Sequence, residues 1–139
     1  MTYDITDVLA HRPPMLLLDS IVESGDTHAV TERTFQPGDY GVAGGFVSEA
    51  ALIECMAQTL AAYQGHYALT RNIPPQPGLL VGIRDARIDA AVLPGDALRI
   101  RIEITHRVGD FVVATGRVDR ADETVARATL KVYVPGLAR

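Results

Sequence analysis

The chain has 139 residues, 47% of them hydrophobic and 22% charged, with a formal net charge of −4. That length can bury one core without metal or disulfide staples, no apolar run is long enough to span a membrane, and the charge gives no footprint for nucleic acid or an anionic membrane surface. Cys55, the single cysteine, has no internal disulfide partner, and the four histidines are scattered without ligand spacing, so neither a metal nor another cofactor is expected. The acidic start (Met1 to Asp7) lacks the basic region and apolar run of a secretory leader. Together these features predict one cytoplasmic domain over residues 1–139.

In chain order, the period-two and turn patterns predict strands over 15–22 and 28–35. From 47 to 69 there is no proline and good helix formers dominate, with Ser48 placed to cap the start and Glu49 in the first turn, where the helix dipole favours a negative charge. The prolines at 74, 75 and 77 stop that helix. Strands follow over 79–88, 98–105, 111–119 and 126–134. The clearest is Leu98, Ile100, Ile102 and Ile104 alternating with Arg99, Arg101, Glu103 and Thr105, and turns fall at Pro94-Gly95-Asp96, Gly109-Asp110 and Ala121-Asp122. Half-polar alternation favours antiparallel pairing. A lone helix that is apolar around most of its circumference must be wrapped by the sheet. The expected class is α+β: a curved antiparallel sheet of about six strands around one long central helix, the hotdog arrangement.

The helix is sorted by size. At about 100° per residue, Leu52, Met56, Thr59, Leu60, Tyr63 and Tyr67 fall on one side, which should pack into the sheet. Ala50, Ala51, Glu54, Ala57, Gln58, Ala61 and Gly65 form an opposite stripe of small residues, carrying a carboxylate and an amide one turn apart. This stripe either faces water, or admits another backbone, a second subunit or a narrow acyl channel. Cys55, beside it on an apolar helix, reads as a small core residue rather than a nucleophile.

Three segments resemble the β-hydroxyacyl-carrier-protein dehydratases of fatty-acid synthesis. His11 to Asp19, H-R-P-P-M-L-L-L-D, is similar to that family's His-Arg-Tyr-Pro-Phe-Leu-Leu-Val-Asp opening. Leu52 to Gln58, L-I-E-C-M-A-Q, is similar to Ile-Ile-Glu-Ala-Met-Ala-Gln on the central helix. Gly82 to Leu98 is similar, without gaps, to Gly-Ile-Asp-Lys-Ala-Arg-Phe followed by Val-Pro-Gly-Asp. The resemblance places Glu54 on the family's catalytic glutamate. It departs at Gly-His-Phe-Pro, whose histidine is the family's base: Tyr40 occupies that position, and no histidine lies between Phe35 and Val47. That departure resembles the dehydratases found with aryl-polyene pathways, which also lack the element.

Dehydration of a β-hydroxyacyl thioester needs a base for the proton next to the carbonyl, an acid for the leaving hydroxyl, and donors for the enolate oxygen. The resemblance implies that Glu54 handles the hydroxyl, with burial keeping part of its population protonated. His11 is the base candidate by chemistry, although typical members carry this histidine besides their catalytic one, so a structural role competes. Tyr40 has the position, but a phenol that ordinarily ionises near pH ~10 suits hydrogen-bond donation better. Backbone N–H groups near Gly45 and Phe46 at the helix start could hold the oxyanion, while Gln58 could orient Glu54, contact substrate or bridge subunits. Arg84 and Arg87 offer charge to a phosphopantetheine, against the plainer reading of a solvated strand face. The expected partners are an acyl-carrier-protein or coenzyme A thioester and a second hotdog subunit, in a homodimer or heterodimer. Two other functions stay open: an acyl thioesterase using Glu54, and a non-catalytic partner subunit that binds acyl chains.

Overall fold

The computed structural model describes residues 3–136. A short helix α1 (Ile5–Val8) precedes strands β1 (Ser20–Ser24) and β2 (His28–Thr34), and the hairpin β3 (Val42–Ala43) and β4 (Phe46–Val47) leads into the long helix α2 (Glu49–Thr70). Four long strands complete the chain: β5 (Leu79–Ile88), β6 (Ala97–Val108), β7 (Phe111–Arg120) and β8 (Glu123–Tyr133). The main sheet has six strands in the order β1-β2-β6-β7-β8-β5, and every neighbouring pair in it is antiparallel. This is the hotdog architecture read from the sequence. Among the described residues no helix is long and apolar enough to cross a membrane.

The wrapping follows from the alternation. Inward residues Ile100, Ile102, Val112, Ala114, Val118 and Leu130 are fully buried, and α2 lays Leu52, Met56, Leu60 and Tyr63 against them. The sheet makes room at Gly116, where a Cβ would lie 2.7 Å from Met56 Sδ. Thr31 and Thr59, both buried, join their hydroxyls at 2.7 Å, and Thr59 Oγ1 donates onward to the Cys55 carbonyl at 2.7 Å. Thr59 therefore enters the core with its polar atom satisfied. Ser48 caps α2 by accepting from Ala51 N–H at 3.1 Å.

Two expectations are corrected. The strand predicted over 15–22 begins only at Ser20 and runs on to Ser24. Upstream, Met15 and Leu17 give their backbone groups to the Gln58 side chain instead of to a neighbouring strand. Tyr67, expected against the sheet, is 36% exposed near the C-terminal end of α2, where its ring is covered by Arg71, whose guanidinium carbon sits 3.6 Å from the ring centroid.

Candidate active site

Glu54 and Gln58 stand one turn apart on α2, and the chain lays His11 against them. The device that seats the N-terminal segment is Gly65. A Cβ there would fall 1.8 Å from the Val8 carbonyl oxygen, so only glycine lets the end of α1 cross α2 this closely. Arg12 then ties the segment down. Its Nη1 donates to the Leu9 carbonyl at 2.7 Å and the His11 carbonyl at 2.8 Å, and its Nη2 to the Thr6 carbonyl at 3.2 Å. These bonds satisfy carbonyls left over where α1 ends. The stripe of small residues thus admits another backbone, and that backbone is the chain's own.

His11 Nε2 lies 3.8 Å from Glu54 Oε2, and each side chain is 36% exposed. That separation is long for a hydrogen bond and within ion-pair range. His11 Nδ1 is buried and has no hydrogen-bond partner among the described residues. Gln58, 1% exposed, donates from Nε2 to Glu54 Oε2 at 2.8 Å and to the Met15 carbonyl at 2.7 Å, and its Oε1 accepts from Leu17 N–H at 2.9 Å. Glu54 is therefore more open than the sequence reading assumed, because it faces a cavity beside His11 and not the sheet.

That cavity holds about 510 Å³ and is walled largely by apolar groups: Leu60, Ala61, Leu79, Leu80, Val132 and Val134 share it with His11, Glu54 and Gln58. The small stripe keeps the bore open, while β5 and β8 supply the far wall. Such a space suits a slender apolar chain whose reactive end rests at a carboxyl and an imidazole.

The other expected residues lie elsewhere in the chain. Tyr40 is 56% exposed, in the turn before β3. Gly45 sits in the β3–β4 turn with φ +82°, a left-handed conformation that glycine adopts without strain. Phe46, 49% exposed, borders a second groove of about 460 Å³ with Ser48, Glu49, Leu52 and Ile88. None of these three lines the cavity of Glu54. Cys55 is buried behind the pair, with Sγ 3.8 Å from the Leu17 carbonyl, and burial pushes its thiol up to about 12. It is a small core residue, as expected. His66, two turns beyond the site, is pulled down by burial and by Arg71, and it packs edge-on against Tyr3.

Sequence reasoning missed Arg12 as the strap that holds His11, although it lies inside the first resembling segment. It also missed the wall from Leu79 and Leu80. The signal there was the run Leu79-Leu80-Val81, which breaks the alternation of a half-buried strand.

A family model described as ApeP-like, ApeP dehydratase, matches residues 3–139. The chain belongs to the ApeP-like dehydratase family. It is 34% identical over 137 residues to the 3-hydroxyacyl-acyl-carrier-protein dehydratase FabZ of Symbiobacterium thermophilum, covering 90% of each chain. To the FabZ of Desulforamulus reducens it is 32% identical over 143 residues, covering 91% of each. Among solved structures, the dehydratase heterocomplex ApeI:P from Xenorhabdus doucetiae superposes with a TM-score of 0.89 at 22% identity, covering 99% of this chain and 94% of that one. A hypothetical thioesterase with coenzyme A from Streptococcus pneumoniae superposes at 0.70 with 17% identity, covering 84% and 88%, which speaks to the fold alone. This dehydratase is a hydro-lyase, and its reaction is the loss of water from a β-hydroxyacyl thioester. The aryl-polyene-type branch expected from the missing histidine holds.

Proposed function

We propose that His11 and Glu54 carry this dehydration on an acyl group delivered by a carrier protein, in the cytoplasm. The observation that supports it is the pairing of His11 Nε2 and Glu54 Oε2 at 3.8 Å on the wall of an apolar cavity. His11 takes the proton next to the thioester carbonyl. The electron pair left behind forms the new double bond to the β-carbon, the carbon–oxygen bond breaks, and the departing hydroxyl takes a proton from Glu54 and leaves as water. The imidazolium and carboxylate so formed stabilise one another across the pair. They are reset by proton exchange with solvent, which both side chains reach. The gap between the two groups leaves neither committed to the other before substrate enters.

A dimer completes this reading. β5 is an edge strand of ten residues, and Leu79, Leu80, Val81 and Ile83 on it are 61%, 42%, 52% and 46% exposed. An apolar edge of that length calls for a covering partner. Antiparallel pairing of two β5 strands about a twofold axis sets Leu79 of one copy beside Ile88 of the other. The Glu54 cavity borders Leu79 and the Phe46 groove borders Ile88. The pairing therefore joins the acid–base pair of one subunit to the Tyr40, Gly45 and Phe46 corner of the next, where helix N-terminal amides can receive the enolate oxygen. A homologous hotdog chain can take the second position as well as a copy of this one.

The test is turnover of a β-hydroxyacyl thioester loaded on a carrier protein, with loss of water and release of thiol followed together, by wild type, Glu54→Gln and His11→Ala. Dehydration that collapses in both variants is the expected result. Thiol release without dehydration would replace this reading with a thioesterase. Full activity in His11→Ala would remove His11 as the base.

A further inference from the structure

The Gln58 amide cannot be turned round. Its Oε1 accepts from Leu17 N–H at 2.9 Å and its Nε2 donates to the Met15 carbonyl at 2.7 Å. A flipped amide would set carbonyl against carbonyl and NH₂ against N–H, with both backbone groups left unsatisfied. Two backbone groups thus fix which end of the amide meets Glu54. The second hydrogen of Nε2 points to Glu54 Oε2 at 2.8 Å, and Gln58 can serve that oxygen only as a donor. An oxygen that accepts this hydrogen is a poor seat for the acid proton, which belongs on the other oxygen, Oε1. The same amide holds the backbone at Met15 and Leu17, a few residues after His11.

We propose that Gln58 is a positioning residue: it assigns the acid proton of Glu54 to Oε1 and, through Met15 and Leu17, sets the separation of Glu54 from the His11 segment. The inference rests on the dehydratase roles of Glu54 and His11. It replaces substrate contact, one of the roles the sequence allowed, with a role that acts through another residue. The titratable groups around the amide are Glu54 and Cys55 on its own helix and His11 on the N-terminal segment; Cys55, against the Leu17 carbonyl, is pushed up to about 12 by burial and stays neutral over the range tested. The strands across the cavity present Leu79, Leu80, Val132 and Val134, none of which titrates.

The experiment compares wild type, Gln58→Leu and Gln58→Glu over a range of pH, with thermal unfolding recorded for each. Gln58→Leu removes the donor, and kcat is expected to fall about a hundredfold while KM stays within about threefold. Gln58→Glu keeps an acceptor for Leu17 N–H but, until it is protonated, turns an acceptor toward the Met15 carbonyl, so its rate is taken per folded molecule, with the thermal midpoint recorded at each pH. Its carboxyl can hydrogen-bond Glu54 only when the two carboxyls share a proton. Its rate relative to wild type therefore rises as pH falls, whereas a folded Gln58→Leu shows no such recovery. A Gln58→Glu profile parallel to wild type, or a Gln58→Leu kcat within about threefold of wild type, overturns the inference and leaves Gln58 a structural clamp. A wild-type protein that eliminates no water overturns the roles of Glu54 and His11 first, and this inference with them.

Discussion

One face of α2 sets Leu52, Met56, Leu60 and Tyr63 into the sheet, where each is at most 1% exposed. The other sets Glu54, Ala57, Ala61 and Gly65 toward the N-terminal strap and the acyl cavity. The first face is filled by volume. It tolerates little change because a close-packed interior has no slack. The second is ordered by small size and by directed bonds, with three carbonyls on Arg12 and two backbone groups on Gln58. A single helix thus divides the work of holding the fold from the work of holding a site, with Leu60 sharing in both as a core residue and a wall of the cavity. Substitutions on its two faces should fail in different ways.

The largest effect expected is on the strap face. Glu54→Gln keeps the shape and an acceptor for Gln58, so dehydration should drop by roughly 10² to 10⁴-fold while the thermal midpoint moves by less than about 2 °C. A large fall in the midpoint would show that the two faces are not separable. On the sheet face, Met56→Ala removes a fully buried side chain and should cost about 2–5 kcal/mol in denaturant titration, with the rate per folded molecule near wild type. Gly65→Ala tests whether the strap carries both burdens. Its Cβ cannot coexist with the Val8 carbonyl 1.8 Å away, so α1 must lift, at about 1–3 kcal/mol, and activity should fall with it because His11 follows α1. Unchanged activity in that variant would break the link between strap and base. Gly116→Ala meets the Met56 sulfur at 2.7 Å, which can swing aside, and the Met56 Cβ at 3.0 Å, which cannot, so about 1–3 kcal/mol is expected. Combined with Met56→Ala, it should cost less than the sum of the two.

The smallest effect lies far from both faces. The Asp96 carboxyl is held below its ordinary range by the Leu93 backbone N–H and then by Arg120. A carboxyl lowered on folding stabilises fully above its unfolded value, about 3.9, and loses that contribution as pH falls through the folded value. The stability difference between wild type and Asp96→Asn should therefore be present at neutral pH and vanish in acid. A difference that persists below pH ~2 would assign it to packing instead.

Much of this was legible because it is local. The 47–69 helix ends within two residues of α2, and the strand read over 79–88 coincides with β5, since periodicity and proline punctuation act over neighbouring residues. The sequence reading missed the hairpin of β3 and β4, although its signal is local: Gly44-Gly45 between Val42-Ala43 and Phe46-Val47 is a two-residue hairpin signal, and both glycines have positive φ. It missed α1 as well, where Asp4 and Asp7 bracket the first turn and Asp4 N–H donates to Asp7 Oδ2 at 3.1 Å. What no local pattern carries is the competition for the backbone at 15–17, won by a side chain 41 residues away from Leu17. The meeting of His11 with Glu54 is likewise long-range. The sequence could propose both residues, but not that Gly65 brings their segments together.

The lone thiol offers a way to watch the molecule breathe. Cys55 is fully buried on α2, near the Leu17 carbonyl and behind the site, with its ionisation pushed up to about 12. A thiolate-selective reagent therefore finds nothing to react with in the native state. Labelling must wait for an opening that unseats α2, so a simple colorimetric trace becomes a clock for that event. Because the chain has no other cysteine, the clock has a single hand, and a ligand that settles into the cavity should slow it.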